Sequence, residues 1–164
     1  MKQLLIIRHA KSDWNTDAKT DFERPLNKRG LRDAPAMAEK MLNKHLVPQL
    51  LVSSPAVRAI STAKIFADTF NIDKKEIGVV PAIYEASAGT LLNVVNGLEN
   101  KYDFVALFGH NPGLTNLAIH LCDTEVYDIP TCGALLIEFP FDDWKMVSKD
   151  NGEQKDYDFP KNDD

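Results

Sequence analysis

A chain of 164 residues, 44% hydrophobic and 26% charged, has the size and composition of one soluble globular domain with a single core. Its net charge of −5 argues against a general electrostatic attraction to nucleic acid or to an anionic membrane, so neither partner is expected. The chain has no apolar run of the roughly 20 residues that a membrane span needs and no secretory signal, so we expect a cytoplasmic protein. Cys122 and Cys132 lack metal-ligand or disulfide spacing and are interpreted as packing residues.

The first predicted element is a strand over residues 4–7, which ends in Arg8 and His9. An unbroken apolar run is typical of a strand covered on both faces, as at the centre of a parallel sheet. Ligands of open α/β sheets bind outside the carboxyl ends of the strands, so Arg8 and His9 are placed where chemistry is done. A long polar loop follows, and long loops in compact domains are often functional.

The next segments alternate between helices and strands. Asn27 could cap a first helical turn. Pro35 is tolerated only in the first turn of a helix, so we expect the helix to restart there with Asp33 as its cap. A strand is predicted at residues 50–52, and an amphipathic helix at residues 56–70 carries Arg58 in its first turn. A weak strand at 78–80 and a helix with Leu91 and Val95 inward complete the first half.

The second half begins with a buried strand at residues 103–108, which stops at Gly109 and His110 as the first strand stops at His9. A helix at 114–121 and a hairpin of residues 134–139 with 144–147 follow. Residues 149–164 are charged and are expected to form a mobile tail, which leaves residues 1–148 as the domain. This order predicts an α/β fold, a three-layer α/β/α sandwich whose mostly parallel sheet has an antiparallel edge strand.

If the strands that precede His9, Arg58 and His110 are parallel neighbours, two imidazoles and the two guanidinium groups of Arg8 and Arg58 meet in one crevice. This combination suits a phosphoryl group, because arginine offers a rigid fork of donors that matches phosphate oxygens. Adjacent cations lower the pKa of a histidine, which leaves one ring nitrogen free to attack phosphorus.

A leaving group also needs a proton, which a carboxylic acid at the rim can supply. Glu85 is the first choice for this acid and Asp13 the second.

Three blocks of the chain resemble the histidine phosphatase superfamily, which has the phosphoglycerate mutase-like fold. Arg8-His9-Ala10 is similar to its Arg-His-Gly signature, and residues 53–63 and 109–113 are similar to its second and third blocks. The element at residues 24–30 and the short chain are most similar to the SixA-type phosphohistidine phosphatases. The resemblance covers residues 1–147.

This resemblance implies a phosphohistidine intermediate on His9, no metal cofactor, and phosphoryl oxygens held by Arg8, Arg58 and His110. Asn15, six residues after His9, matches the place of a phosphate-contacting asparagine in related mutases. The implied partner is a phosphorylated substrate, either a phosphohistidine-carrying protein or a small phosphorylated compound. Glu85 is matched to the family only by its approximate place in the chain.

Three other functions are weighed against a phosphatase. A phosphomutase must keep its intermediate from water, which usually needs covering structure that this short chain lacks. A phosphate-binding module without turnover would keep the arginines and lose the nucleophile. A metallohydrolase is disfavoured because the two cations beside the histidines would repel a divalent metal.

Overall fold

A computed structural model describes residues 1–160 of the chain. Its sheet has six strands in the order β3-β2-β4-β1-β5-β6, namely β1 Lys2–Arg8, β2 Leu50–Ser53, β3 Gly78–Val79, β4 Phe104–Gly109, β5 Ala134–Phe139 and β6 Glu153–Asp158. The four α-helices are α1 Lys28–Asn43, α2 Val57–Phe70, α3 Ala88–Asn96 and α4 Gly113–Leu121. Short 3-10 turns lie at Lys74–Glu76, Pro81–Ile83 and Trp144–Met146. Within residues 1–160, every helix is too short or too polar to cross a bilayer.

Strand β1 lies inside the sheet, parallel to β4 on one side and antiparallel to β5 on the other. Strands β2, β3 and β4 are parallel to one another, and β6 adds antiparallel to β5. The predicted mostly parallel sheet is therefore confirmed, and its antiparallel pairings are the two that β5 makes, with β1 and with β6. The register pairs Arg8 with Gly109, so that β1 and β4 end side by side.

Helices cover both faces of this sheet. Along β1, Leu5 and Ile7 face a core that includes Met37 of α1 and Phe66 of α2. Leu4 and Ile6 face the opposite core, which includes residues of α3 and α4 such as Leu91, Val95, Leu114 and Leu117. These two cores make the three-layer sandwich that the uninterrupted apolar run predicts. The free thiols of Cys122 and Cys132 are buried, in agreement with packing roles.

Helix α1 is continuous, so the predicted restart at Asp33 is wrong. Asn27 caps the helix by accepting a hydrogen bond from the Gly30 N–H at 2.9 Å. Pro35 lies inside the helix, while Asp33 pairs with Arg29 at 3.4 Å instead of capping. An interior proline costs about 3 kcal/mol, and burial of the apolar face of α1 outweighs this cost.

The closing part of the sheet also differs from the prediction. Residues 144–146 form a 3-10 turn around the fully buried Trp144, so they are not a hairpin strand. The partner of β5 is β6, which lies within the segment predicted to be a mobile tail. The predicted domain boundary at residue 148 is thus corrected, because residues 153–158 belong to the sheet; residues 161–164 lie outside the described residues. A charged strand is stable here because edge strands face solvent and tolerate charge.

Candidate active site

The carboxyl ends of three parallel strands deliver the candidate residues to one edge of the sheet. His9 follows β1, and its N–H donates to the carbonyl of Gly109 at the end of β4, at 3.1 Å. Ser54 follows β2, and its N–H donates to the carbonyl of Phe108 at 3.0 Å. These backbone bonds hold the ends of β1, β2 and β4 together, so side chains from remote parts of the sequence converge there.

A cavity of about 210 Å³ lies at this edge. The centroids of the His9 and His110 rings are 5.3 Å apart, and the rings are inclined at 52°. Cationic and aromatic side chains dominate the wall, among them Arg8, His9, Trp14, Arg24, Arg58 and His110. The structure therefore brings together the four residues that the strand ends predict, Arg8, His9, Arg58 and His110.

The His9 ring is held as a neutral tautomer with one free nitrogen. Nδ1 lies 2.7 Å from the carbonyl oxygen of Ala10, and a carbonyl only accepts, so Nδ1 carries the proton and Nε2 the lone pair. Burial first, and then the charges of His110, Arg58 and Arg8, lower the pKa of His9 to about 3, against the opposing effect of the Ala10 hydrogen bond. At neutral pH the Nε2 atom is therefore available as a nucleophile.

His110 completes the pair of imidazoles. Its Nε2 is 2.8 Å from the Oγ of Ser54, while its Nδ1 is buried without a hydrogen-bond partner among the described residues. Burial, followed by the charge of Arg58, lowers the pKa of His110 to about 4. Two neutral imidazoles can thus lie side by side without repulsion.

Several buried donors around this cavity lack acceptors. Among the described residues, the Nε atoms of Arg8, Arg24 and Arg58 are buried and make no hydrogen bond. The guanidinium group of Arg8 is held in place by one hydrogen bond, which its Nη1 donates to the carbonyl of Ile129 at 2.9 Å. Buried donors are rarely left unpaired, so this wall fits an anion with several oxygens, such as a phosphoryl group.

Asp21 in the long loop is part of the site, and the sequence analysis missed it. Its carboxylate accepts from Arg58 Nη2 at 3.0 Å, from Arg24 Nη2 at 3.1 Å and from the Tyr84 hydroxyl at 2.7 Å. The Tyr84 hydrogen bond first, and then those of Arg24 and Arg58, lower the pKa of Asp21 to about 2. Asp21 is therefore ionised at neutral pH and positions the two guanidinium groups without acting as a proton donor.

Glu85 lies in a second cavity of about 510 Å³, which shares Arg58, His110 and Asn111 with the first. The Glu85 side chain is exposed, and its backbone has a left-handed φ of 53°. Glu85 thus lies beside the cavity that contains the two histidines, because the two cavities share part of their walls.

The other two candidates, Asn15 and Asp13, line neither cavity. Asn15 is exposed, and its N–H donates to the Asp13 carboxylate at 2.8 Å. Among residues 1–160, no group of three or more His, Cys, Asp or Glu side chains is arranged to hold a metal ion.

Comparison with known proteins agrees with this geometry. The sequence model of the histidine phosphatase superfamily, branch 1, matches residues 4–115. An uncharacterized chloroplastic protein of Arabidopsis thaliana is 28% identical over 152 residues, which are 88% of this chain and 69% of that protein. An uncharacterized protein of Mycobacterium tuberculosis is 30% identical over 135 residues, which are 82% of this chain and 81% of that protein.

Solved structures share the fold. A structure from Agrobacterium tumefaciens assigned as the phosphohistidine phosphatase SixA superposes with a TM-score of 0.82 at 24% identity, over 97% of this chain and 98% of that one. A protein histidine phosphatase SixA complexed with tungstate superposes with a TM-score of 0.83 at 23% identity, over 99% of both chains. The chain has the SixA fold and belongs to the histidine phosphatase superfamily, branch 1.

Proposed function

We propose that this protein is a phosphatase that works without a metal, through a phosphohistidine intermediate on His9. The observation that carries the proposal is a neutral imidazole, with its Nε2 lone pair free, in a cavity walled by Arg8, Arg24 and Arg58. The guanidinium groups supply the positive charge that phosphoryl oxygens need in the transition state. Membership of the histidine phosphatase superfamily supports the same chemistry.

In the first step, His9 Nε2 forms a bond to phosphorus while the bond from phosphorus to the leaving group breaks. The leaving group keeps the electron pair and takes a proton from an acid, a role that we give to Glu85 because it lines the adjoining cavity and Asp13 does not. In the second step, a water oxygen forms a bond to phosphorus while the bond from phosphorus to His9 Nε2 breaks. Glu85 takes a proton from that water, the electron pair of the broken bond returns to Nε2, and phosphate leaves with His9 neutral again.

Arg8, Arg58 and His110 hold the phosphoryl oxygens throughout, and Arg24 shares the same wall. Loss of one arginine that stabilises this charge costs about 10³ to 10⁵ in rate in other phosphoryl-transfer enzymes. The substrate class that we propose is a phosphohistidine protein or a small phosphorylated compound. The two adjoining cavities together offer room for either leaving group, and a tungstate-bound structure of the same fold is that of a protein histidine phosphatase.

Phosphate release from an aryl phosphate by EDTA-treated protein tests this proposal. We expect turnover by the wild type and a loss of at least about 10³-fold in His9→Ala, because the nucleophile is gone. His120→Ala is the matched control, since His120 lies on α4 and lines neither cavity. Rapid quenching followed by peptide mass spectrometry should find the phosphoryl group on His9.

Other outcomes separate the alternatives. Undiminished turnover by His9→Ala would contradict the assigned nucleophile. Phosphate binding without turnover in the wild type would favour a binding module, and an isomerised product without net phosphate release would favour a mutase.

A further inference from the structure

Trp14 is a large aromatic side chain at the mouth of the catalytic cavity. It is 76% exposed and yet lines the same cavity as His9. Apart from His9 and His110, it is the one aromatic ring among the described residues that line this cavity. Tryptophan rings buried at interfaces supply much binding energy, so a ring left exposed at this place is available for a ligand.

The ring is held in place before any ligand arrives. The guanidinium carbon of Arg24 lies 3.6 Å from the ring centroid, a close cation–π contact. Arg24 itself is only 7% exposed, and it donates hydrogen bonds to the Ser12 hydroxyl and to the Asp21 carboxylate. A bridge between Ser12 and Leu26 joins the two ends of the loop. A ring fixed in this way loses little conformational entropy when a partner stacks on it.

The position of Trp14 relates it to the leaving group. A phosphoryl group attacked by His9 Nε2 must carry its leaving group on the opposite side, because attack and departure are in line. His9 is buried and the exposed Trp14 lines the same cavity, so a leaving group that points from His9 towards solvent through this cavity passes the Trp14 ring.

We propose, as an extension of the function proposed above, that Trp14 is a specificity-determining residue that stacks on a planar leaving group. The ring then favours a phosphoryl group carried by an imidazole or an aryl ring over one carried by an alkyl amine or a non-planar alcohol. Aromatic stacking of this kind corresponds to a gain of about fivefold to tenfold.

Size-matched substrates test this inference. Phenyl phosphate is compared with cyclohexyl phosphate, and phosphohistidine with phospholysine, as ratios of kcat/KM. We expect Trp14→Ala to lower the ratio of planar to non-planar substrate about fivefold to tenfold, and Trp14→Phe to retain most of it. Tyr127→Ala is the control, because Tyr127 is 87% exposed but lines neither of the two cavities.

The ratio of kcat/KM for planar and non-planar substrates distinguishes two roles of Trp14, stacking on the substrate and holding the guanidinium group of Arg24. Equal losses on planar and non-planar substrates would overturn the inference, since Trp14 would then act only by holding the guanidinium group. A loss confined to a phosphorylated protein, with the small substrates unaffected, would also overturn it and would indicate a protein-docking role.

Binding of non-hydrolysable phosphonates gives a readout that needs no turnover. Isothermal titration calorimetry measures this binding in the wild type and in Trp14→Ala alike, whereas tryptophan fluorescence would lose its reporter in the variant, because the other tryptophan, Trp144, is fully buried. We expect phenylphosphonate to bind the wild type about fivefold to tenfold more tightly than cyclohexylphosphonate, and Trp14→Ala to bind both equally. Equal binding by the wild type would overturn stacking, whereas this preference together with absent hydrolysis would overturn only the phosphatase proposal.

Discussion

At the scale of single residues, the site depends on two imidazoles that stay uncharged beside three guanidinium groups. Burial is the largest cause of the lowered pKa of His9 and of His110, and the arginine charges add to it. Protonation of His9 would therefore remove the proposed nucleophile and place another cation among the arginines. Asp21 offsets part of this positive charge from the loop side.

The lowered pKa values predict that activity persists to unusually low pH. Because both histidines are neutral well above their pKa values of about 3 and 4, kcat/KM should stay level from pH 7 to about pH 5, after correction for substrate ionisation. An ordinary histidine nucleophile would instead lose activity below about pH 6.5. Imidazole proton signals of His9 and His110 in an NMR titration provide the direct measurement, with the exposed His45 as the comparison. A fall in kcat/KM that begins near pH 6.5 as the pH is lowered would contradict this account.

Some residues of the site were predictable from the sequence, and the reason is local. Arg8, His9 and His110 follow apolar strands directly, so the point where each apolar run ends marks the rim. Asp21 follows no such signal, because it lies in a polar loop and reaches Arg58 only through the tertiary fold. Ser54 is visible as a strand end, but only the structure shows its hydroxyl beside His110.

At the scale of elements, the edge of the sheet that carries the candidate site depends on close backbone contacts that only glycine permits. A Cβ atom on Gly113, the first residue of α4, would lie 2.1 Å from the carbonyl oxygen of Ala86. A Cβ on Gly30 in α1 would lie 2.2 Å from the carbonyl oxygen of Lys11. Both contacts join a helix to a segment that lines one of the two cavities.

Gly113→Ala should therefore destabilise the protein and disturb the site. The added methyl group must push α4 away from Ala86, and overpacking of this kind costs about 1 to 3 kcal/mol. Gly89→Ala is the matched control, because its Cβ would meet only the Ser87 hydroxyl at 3.9 Å, and alanine favours a helix by up to about 1 kcal/mol. Urea denaturation of both variants, together with kcat/KM, provides the measurement. Equal midpoints would show that the Ala86 contact is not a constraint.

Element types were largely predictable because apolar periodicity specifies them, whereas some boundaries were not. The rule that proline starts or breaks a helix fails in α1, where the residues around Pro35 keep one continuous buried face. That face is a property of packing against the sheet, and local sequence rules do not contain it.

At the scale of the whole molecule, the sheet is completed by the last strand in the chain. Strand β6 pairs with β5, and Lys44 of the α1 C-cap bonds to Asp156 and Asp158 at 2.9 Å each. Composition alone could not identify this strand, because its charged residues resemble a tail and its partner is remote in sequence. The β5 strand that it covers is almost fully buried.

Removal of residues 149–164 should consequently destabilise the domain by roughly 3 kcal/mol or more and promote aggregation, since the apolar β5 would become an open edge. The backbone N–H of Arg8 donates to Gly133 just before β5, so we also expect weaker activity in the remaining folded fraction. Lys44→Ala is the control for the ion pairs alone. It should cost no more than about 1 kcal/mol, because Lys44 and Asp156 are partly exposed and the buried Asp158 keeps its pair with Lys40 at 3.6 Å. Thermal denaturation and light scattering provide the measurements. A truncated protein with the wild-type melting temperature and no aggregation would show that β6 contributes nothing to the sheet that holds the site.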